Sequence, residues 1–527
     1  MAETATVKAP VTGAIIDEYK ITSPQEIQKI YDSANAAFPQ WSATSLHRRM
    51  QDLRATYQQF YANSDMLAKL VSDEMGKPLH EAYSSEILPV LDCFKYYLKN
   101  IRDFLKPTPI SAQNIFLKLR KGFVVWEPLG VIGVITPWNY PLLLSLQHII
   151  PALLAGNTVI HKPSEYSTLT GLKIDALFDN FPVGVFSTVT GFSETGQALV
   201  AQDLDKIFFI GSTNVGRKIY QSAADKLIPV NMELGGNDPM IVLEDADLER
   251  AGNGALWGAF SNSGQTCVSV ERFFVQESIF EEFRQKLLQK ISTLRIGNQT
   301  TGEGEITSMV NQAQLNKMND LIAKAKKQGV HIEIGGKPRP ENGSFFFEPT
   351  LLTFPDAKNQ LSGEEIFGPV VSLQSFKTDD EAIAMANNSE YGLSASIWSK
   401  NPDRALQIAH QIKSGSVLIN ELFSHISQFE APYSGWKSSG IGVSHGSWGM
   451  QEMVRPKYIS AENQWLQRLL AILAPHLKKR NLWWFPYRNS QLAEYRAFVS
   501  YLHAPSLWSR IKATPTAVKA IFKKPKS

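Results

Sequence analysis

Apolar positions in residues 22–106 recur at helical spacing, with Leu67, Leu70, Val71 and Met75 as an example, and Gly76-Lys77-Pro78 breaks the run. Ser23-Pro24-Gln25-Glu26 supplies a capping hydroxyl, a proline at the first helical position and an acid in the first turn, so a helix is predicted to start there. After Pro107 and Pro109 the pattern alternates from Ile110 to Trp126, which predicts an extended arm or hairpin. From Gly130 short β-rich runs alternate with helical stretches. Strands are predicted at Val131–Thr136, Thr158–Lys162, Phe186–Thr190 and Lys206–Ile210, with helices from about Leu142 and after Ser167. A second series runs from about Pro239 to Asn420, with strands near Met240–Val242, Arg272–Gln276, Val371–Phe376, Ser394–Trp398 and Ser416–Ile419. Strands separated by helices of this length predict parallel sheets covered on both faces.

Length adds a domain count. The chain has 527 residues, and single cores stop growing near ~250–300, so two α/β domains and a tail are expected. Hydrophobic residues at 43% and charged residues at 20% exclude wholesale disorder. Two cysteines, Cys93 and Cys267, exclude a disulfide scaffold. The longest apolar stretch, Val131 to Ile160, is broken by Pro137, Asn139, Pro141, His148, Pro151 and Asn157, so no bilayer span is expected. The first residues lack a basic start followed by an apolar run, and a cytoplasmic location is the expectation. Charge is unevenly spread. Residues 462–527 hold twelve Lys and Arg against Glu462 and Glu494, a net +10; with +3 for the whole chain, the first 461 residues carry −7.

Four features could carry chemistry. Gly211-Ser-Thr-Asn-Val-Gly216 follows an apolar run and precedes a helical stretch, where backbone N–H groups can meet a phosphate, although such turns often only connect elements. Cys267 follows Gly264-Gln265-Thr266 in a loop-like stretch; a lone cysteine is a nucleophile or a small buried hydrophobe. Glu233 ends a short apolar run before Leu234, Gly235 and Gly236, as a general base or a solvated acid. Asn139 lies at a strand-to-helix turn, as an oxyanion donor or a cap.

Together these features form an ordered set: TPWN at 136–139, KPSE at 162–165, GSTxxG at 211–216, ELGG at 233–236, GQTC at 264–267 and EEIFGPV at 364–370. Asn420 and PYSGWKSSGIG at 432–442 follow. Over roughly residues 20–460 the chain resembles the aldehyde dehydrogenase superfamily. The resemblance implies an α/β fold with a Rossmann-type cofactor domain (1–106 and 127–236), an α/β catalytic domain (237–446) and a small oligomerisation arm (107–126 and 447–461), leaving 462–527 as a basic aromatic extension. It implies Cys267 as the nucleophile towards an aldehyde, Asn139 and the Cys267 N–H as oxyanion donors, and Glu233 as the base for thioester hydrolysis.

NAD is the implied cofactor, with NADP tolerable to Lys162. Glu165 would accept from the adenosine ribose and repel a 2′-phosphate. Ser212 would meet the pyrophosphate, and Glu365 and Phe367 the nicotinamide ribose. Thr136, Pro137, Trp138, Ser164, Gly211, Gly216, Leu234 and Gly235 complete the implied cofactor positions, and no metal is expected. Two departures stand out: Asn237 replaces a lysine common among relatives, and Gly442-Val-Ser-His-Gly446 resembles the dimeric class that includes fatty aldehyde dehydrogenases. A homodimer is therefore expected.

Tyr140, Leu143, Leu144 and Gln147 lie near one face of the helix after Asn139 and would wall a substrate tunnel without a cation, or simply pack the core. An apolar long-chain aldehyde, fatty or apocarotenoid, is the expected substrate. A short semialdehyde or a catalytically silent scaffold is the alternative. In the extension, Trp465 to Ala474, Lys478-Lys-Arg480 and Trp483-Trp-Phe-Pro-Tyr487 suit a membrane surface or intramolecular packing, and nucleic acid is not expected.

Overall fold

A computed structural model describes residues 3–112, 117, 120–297, 304–354, 363–473 and 489–522. The chain divides into two compact units, 1–105 with 127–455, and 106–126 with 456–527.

The first unit opens with an antiparallel hairpin, β1 (Thr4–Lys8) and β2 (Ile15–Lys20), which the periodicity reading did not find. Its strands are short and mostly exposed, with Val7 and Tyr19 the buried positions, so little hydrophobic alternation marks them. The helical region follows as expected. Ser23 and Glu26 form a reciprocal capping box on the helix Pro24–Ala43. Helices Leu46–Ala62, Ser64–Met75 and Leu88–Phe104 follow, and Ser64–Met75 stops at Gly76, which takes the left-handed φ of 73°. A π-helical turn, Tyr83–Ile87, precedes Leu88–Phe104.

After β3 (Thr108–Ile110) and β4 (Arg120–Pro128), the first βα series supplies β5 (Val131–Ile135), β6 (Thr158–Lys162), β7 (Phe186–Thr188), β8 (Lys206–Ile210) and β9 (Val230–Glu233). The second supplies β10 (Asp238–Val242), β11 (Val270–Gln276), β12 (His331–Ile334), β13 (Thr350–Thr353), β14 (Val370–Phe376), β15 (Ser394–Trp398) and β16 (Ser416–Ile419). The last strands are β17 (Gly440–Ile441) and β18 (Val454–Glu462).

The first sheet has the order β17-β9-β8-β5-β6-β7, parallel except for β17. Strand β17 returns after the second series to pair with β9, Gly440 opposite Glu233. The second sheet has the order β12-β13-β14-β11-β10-β15-β16, with only β12 antiparallel. In the first sheet the chain leaves β5 towards β6 and β7, then returns to its other side for β8 and β9. The switch point therefore lies at the carboxyl ends of β5 and β8, where open α/β sheets bind ligands. The helix Pro141–Ala155 is apolar nearly all round, and all its residues are buried.

The second unit holds the sheet β18-β4-β3 and the helices Gln464–Leu473, Asn489–His503 and Leu507–Phe522, of which the last two pack on each other. Lys478 to Arg480 and Trp483 to Tyr487 lie outside the described residues. Among the described residues no helix is long and apolar enough to cross a membrane.

Candidate active site

Two cavities of the first unit meet at Cys267. One, of about 250 Å³, is lined by Tyr140, Leu143, Leu144, Gln147, Glu233, Trp257, Cys267, Phe423, Ile426, Tyr433 and His445, with Pro89, Thr266 and several serines. The other, of about 170 Å³, lies at the switch point and is lined by Pro137, Trp138, Asn139, Gly211, Ser212, Glu233, Leu234, Gly235, Cys267, Glu365 and Phe367 among others. Cys267, Glu233 and Leu144 belong to both.

The loop that carries Cys267 is built from three consecutive left-handed residues, Asn262 (φ 51°), Ser263 (φ 53°) and Gly264 (φ 72°). Left-handed non-glycine backbone persists only where its surroundings hold it, and here they do. The Asn262 N–H donates to Glu81 Oε2 (2.9 Å), its side chain donates to the Asn139 carbonyl (3.2 Å), and Ser263 Oγ donates to the Thr307 carbonyl (2.9 Å). Beneath Cys267 a Cβ on Gly236 would overlap the Cys267 carbonyl oxygen, so only glycine fits there. Cys267 Sγ lies 3.9 Å from Tyr433 Oη. Burial first, and then the neighbouring Glu233 charge, push the thiol up to about 12.

Asn139 is fixed from both ends. Its Nδ2 donates to the Gln265 carbonyl (3.0 Å), which leaves the second amide hydrogen for a substrate oxygen. Its carbonyl accepts from Lys77 Nζ (2.7 Å). Lys77 is fully buried, pairs with Glu86 (2.9 Å) and lies 4.0 Å from the centre of the Tyr140 ring. Glu86 Oε2 accepts from the Leu142 and Leu143 N–H groups (2.9 and 3.1 Å), capping the helix that carries the tunnel residues. Sequence reasoning missed Lys77, Glu81 and Glu86. A charged residue inside the otherwise apolar break Gly76-Lys77-Pro78 was the available signal.

Glu233, at the end of β9, is buried. Burial alone would raise its carboxyl, but hydrogen bonds from His148 and Ser444, with the charge of His148, hold it below its ordinary value. His148 and the pair Ser444–His445 were also missed as site residues, although the Gly442–Gly446 departure contained the latter two.

The cofactor positions divide. Pro137, Trp138, Gly211, Ser212, Leu234, Gly235, Glu365 and Phe367 line the second cavity. Ser212 caps the helix Thr213–Ala224, with Val215 N donating to its Oγ (3.4 Å). The Trp138 and Phe367 rings meet edge to face at 5.7 Å. Glu365 Oε1 accepts from Gly236 N (3.2 Å), and burial raises its carboxyl.

Thr136, Lys162, Ser164, Glu165 and Gly216 do not line that cavity. The Thr136 hydroxyl is within hydrogen-bond reach of Ser145 (2.9 Å) and His161 (3.0 Å). Ser164 Oγ donates to Glu165 (3.2 Å), Lys162 lies 3.9 Å from Glu165, and Gly216 packs against Leu234. Gln314 and Lys317, which the sequence reading passed over, line the cavity, and Gln314 Oε1 is buried without a partner. Asn237, the departure from the lysine pattern, donates to Glu271 (2.8 Å), which also accepts from the Ile366 and Phe367 N–H groups. It therefore braces the loop that carries Glu365 and Phe367. All four tunnel positions, Tyr140, Leu143, Leu144 and Gln147, line the first cavity. Among the described residues no His, Cys, Asp and Glu cluster could hold a metal.

The chain is similar to proteins already known. Residues 1–459 match the aldehyde dehydrogenase family. A peroxisomal aminoaldehyde dehydrogenase from Pisum sativum is 35% identical over 86% of this chain and 91% of its own. A 4,4'-diapolycopene aldehyde oxidase from Methylomonas sp is 33% identical over 97% of this chain and 94% of its own. Among solved structures, betaine aldehyde dehydrogenase from Staphylococcus aureus, in complex with NAD+, superposes with a TM-score of 0.84 at 30% identity, covering 92% of this chain and 94% of that one. The chain belongs to the aldehyde dehydrogenase family.

Proposed function

We propose that this protein oxidises an apolar, long-chain aldehyde to its carboxylate, with NAD as the oxidant. The observation that carries the substrate reading is the wall of the cavity at Cys267. Leucines, aromatic rings and Ile426 give it most of its surface, and among the described residues no Lys or Arg lines it and Glu233 is its single carboxylate. A substrate carboxylate would face Glu233 without a partner, which counts against a semialdehyde.

The second cavity fits a dinucleotide. It lies at the switch point, opens on the N-terminus of the helix that Ser212 caps, and is lined by Gln314 and Lys317, whose side chains can meet polar and anionic groups. Pro137, Trp138, Gly211, Ser212, Glu365 and Phe367 would hold the cofactor. When bound, NAD supplies the acceptor for the hydride that leaves the aldehyde carbon.

The chain's residues do the rest. Cys267 Sγ gives up its proton to solvent water and bonds to the carbonyl carbon, while the C=O π electrons move to oxygen. The free Asn139 amide hydrogen and the Cys267 N–H stabilise that oxyanion. Loss of hydride leaves a thioester on Cys267. Glu233 then takes a proton from water, the hydroxide adds to the thioester carbon, and the C–S bond breaks to release the acid and the thiolate.

The Methylomonas relative supports the apolar reading, because an alignment over 97% of the chain has to run well into the extension 462–527. In that extension Leu507, Trp508 and Ile511 are exposed beside Arg510 and Lys512, a pairing suited to an anionic membrane surface. We take the extension as that contact and the protein as a homodimer.

The test is NADH production at matched concentrations of a long-chain aldehyde, an apocarotenal and succinic semialdehyde, with Cys267→Ala as control. Faster turnover of the apolar aldehydes, abolished in the control, is expected. Faster turnover of succinic semialdehyde would overturn the substrate reading, and no turnover of any aldehyde would support a silent scaffold.

A further inference from the structure

Glu233 is surrounded by donors. Ser444 Oγ donates to its Oε1, and His148 Nε2 stands 3.5 Å from the same oxygen. Gln147 Nε2 donates to Oε2 (3.3 Å). Gln147 is oriented in turn, because its Oε1 accepts from His445 Nε2 (3.1 Å); an amide oxygen only accepts, so His445 carries its hydrogen there. Every member of this network is buried. Glu233, Gln147 and His445 reach the substrate cavity, whereas His148 does not line it. His148 therefore stands behind the carboxylate, with its ring 4.9 Å from that of Phe208 on β8.

We infer that His148, Ser444 and the Gln147–His445 pair are positioning residues that keep Glu233 ionised and aimed at the thioester, and that His148 sets the lower pH limit of deacylation. This rests on the hydrolytic role proposed above for Glu233. A carboxylate that receives two hydrogen bonds and faces an imidazole nitrogen is favoured in its charged form and works as a base, not as an acid.

The charged and titratable groups around the pair leave His148 in that part. Cys267 and Tyr433 face Glu233 across the cavity and Tyr97 faces it from the helix Leu88–Phe104; burial raises all three well into the alkaline range. Burial pushes His445 down to about 4, so it is a neutral donor at working pH. Lys206, on the strand of Phe208, is paired with Glu452. That leaves His148, whose Nε2 stands 3.5 Å from Glu233 Oε1 on the side away from the cavity.

The test isolates deacylation from the cofactor. The full chain is acetylated with p-nitrophenyl acetate, freed of ester, and the loss of the acetyl mass is followed across the acid-to-neutral range. In this probe reaction the Cys267 thiol loses its proton to solvent water, its Sγ bonds to the acetyl carbon and nitrophenolate leaves. Water then loses a proton to Glu233, adds to the carbon and displaces the thiol sulfur, giving acetate.

The acid midpoint of deacylation is expected to rise by about one pH unit or more in His148→Leu. His148→Gln, which keeps a donor without charge, should rise less, and Ser444→Ala should also rise. If His148→Leu does not fold, His148→Gln and Ser444→Ala carry the test. Midpoints equal to that of the unaltered enzyme in the folded variants would overturn the inference. Glu233→Gln separates the two readings: it should trap the acetyl group on Cys267, and absence of an adduct there would sink the proposed chemistry itself.

Discussion

At Cys267 the sulfur meets a cavity with two opposing demands. The apolar wall that suits the proposed substrate also raises the thiol to about 12, with Glu233 adding to the rise. Alkylation of Cys267 by iodoacetamide should therefore be slow at neutral pH and climb through the alkaline range without a plateau. Glu233→Gln removes a negative charge, which lowers the thiol, so its curve should move to lower pH. A curve unmoved by that variant would mean the carboxylate does not reach the thiol electrostatically. Asn139→Ala removes a preorganised donor whose backbone is already clamped by Lys77, so kcat should fall ~10²–10³-fold. An unchanged kcat would assign the oxyanion to other groups.

The elements matter through what they hold in place. The π-helical turn Tyr83–Ile87 presents Glu86 to the first N–H groups of the helix Pro141–Ala155 while Lys77 neutralises it. This couples the helical region to both Asn139 and the wall of the cavity at Cys267. Breaking a buried pair from one side leaves an unmatched charge, so Lys77→Met should destabilise the fold by about 3–5 kcal/mol in denaturant titrations. Lys77→Met with Glu86→Gln should recover much of that loss. Equal destabilisation of the single and double variants would show that Lys77 acts through packing alone.

On the scale of the whole molecule, the basic extension and the acidic remainder of the chain divide the charge. A chain ending at Ala461 should lose co-sedimentation with anionic liposomes while keeping turnover of a short soluble aldehyde. Equal sedimentation of both chains would remove the membrane contact. Loss of the sedimentation with salt is expected as well, because screening weakens such attraction. The dimer is checked by sedimentation velocity, where a tetramer would count against the likeness at Gly442–Gly446.

Much of this was legible along the chain. Helical spacing, β-rich runs and the glycine-marked turns located both βα series, because those signals are local and repeat within a few residues. Cys267, Glu233 and Asn139 were each open to two readings alone, and could be named only because the ordered motifs around them resemble the aldehyde dehydrogenase superfamily. The hairpin of β1 and β2 was missed because its exposed strands carry little hydrophobic contrast. The buried charges Lys77, Glu81 and Glu86 were missed because a lysine or glutamate in a helical region reads as a solvated face until its partner, far off in sequence, is known.

His148 shows the difference most plainly. In the sequence it is one polar residue interrupting an apolar run, no different from the prolines and asparagines beside it. Only the packing of the helix Pro141–Ala155 against β8 and β9 brings it to Glu233, and only the return of the chain after β17 brings Ser444 and His445 to the same carboxylate. The sequence determined which elements form and which side chains can do chemistry, because propensity, capping and reactivity are properties of neighbouring residues. The tertiary structure decided which of those groups share a cavity, and what charge each can hold there, because burial and pairing depend on residues that meet only when the chain has folded.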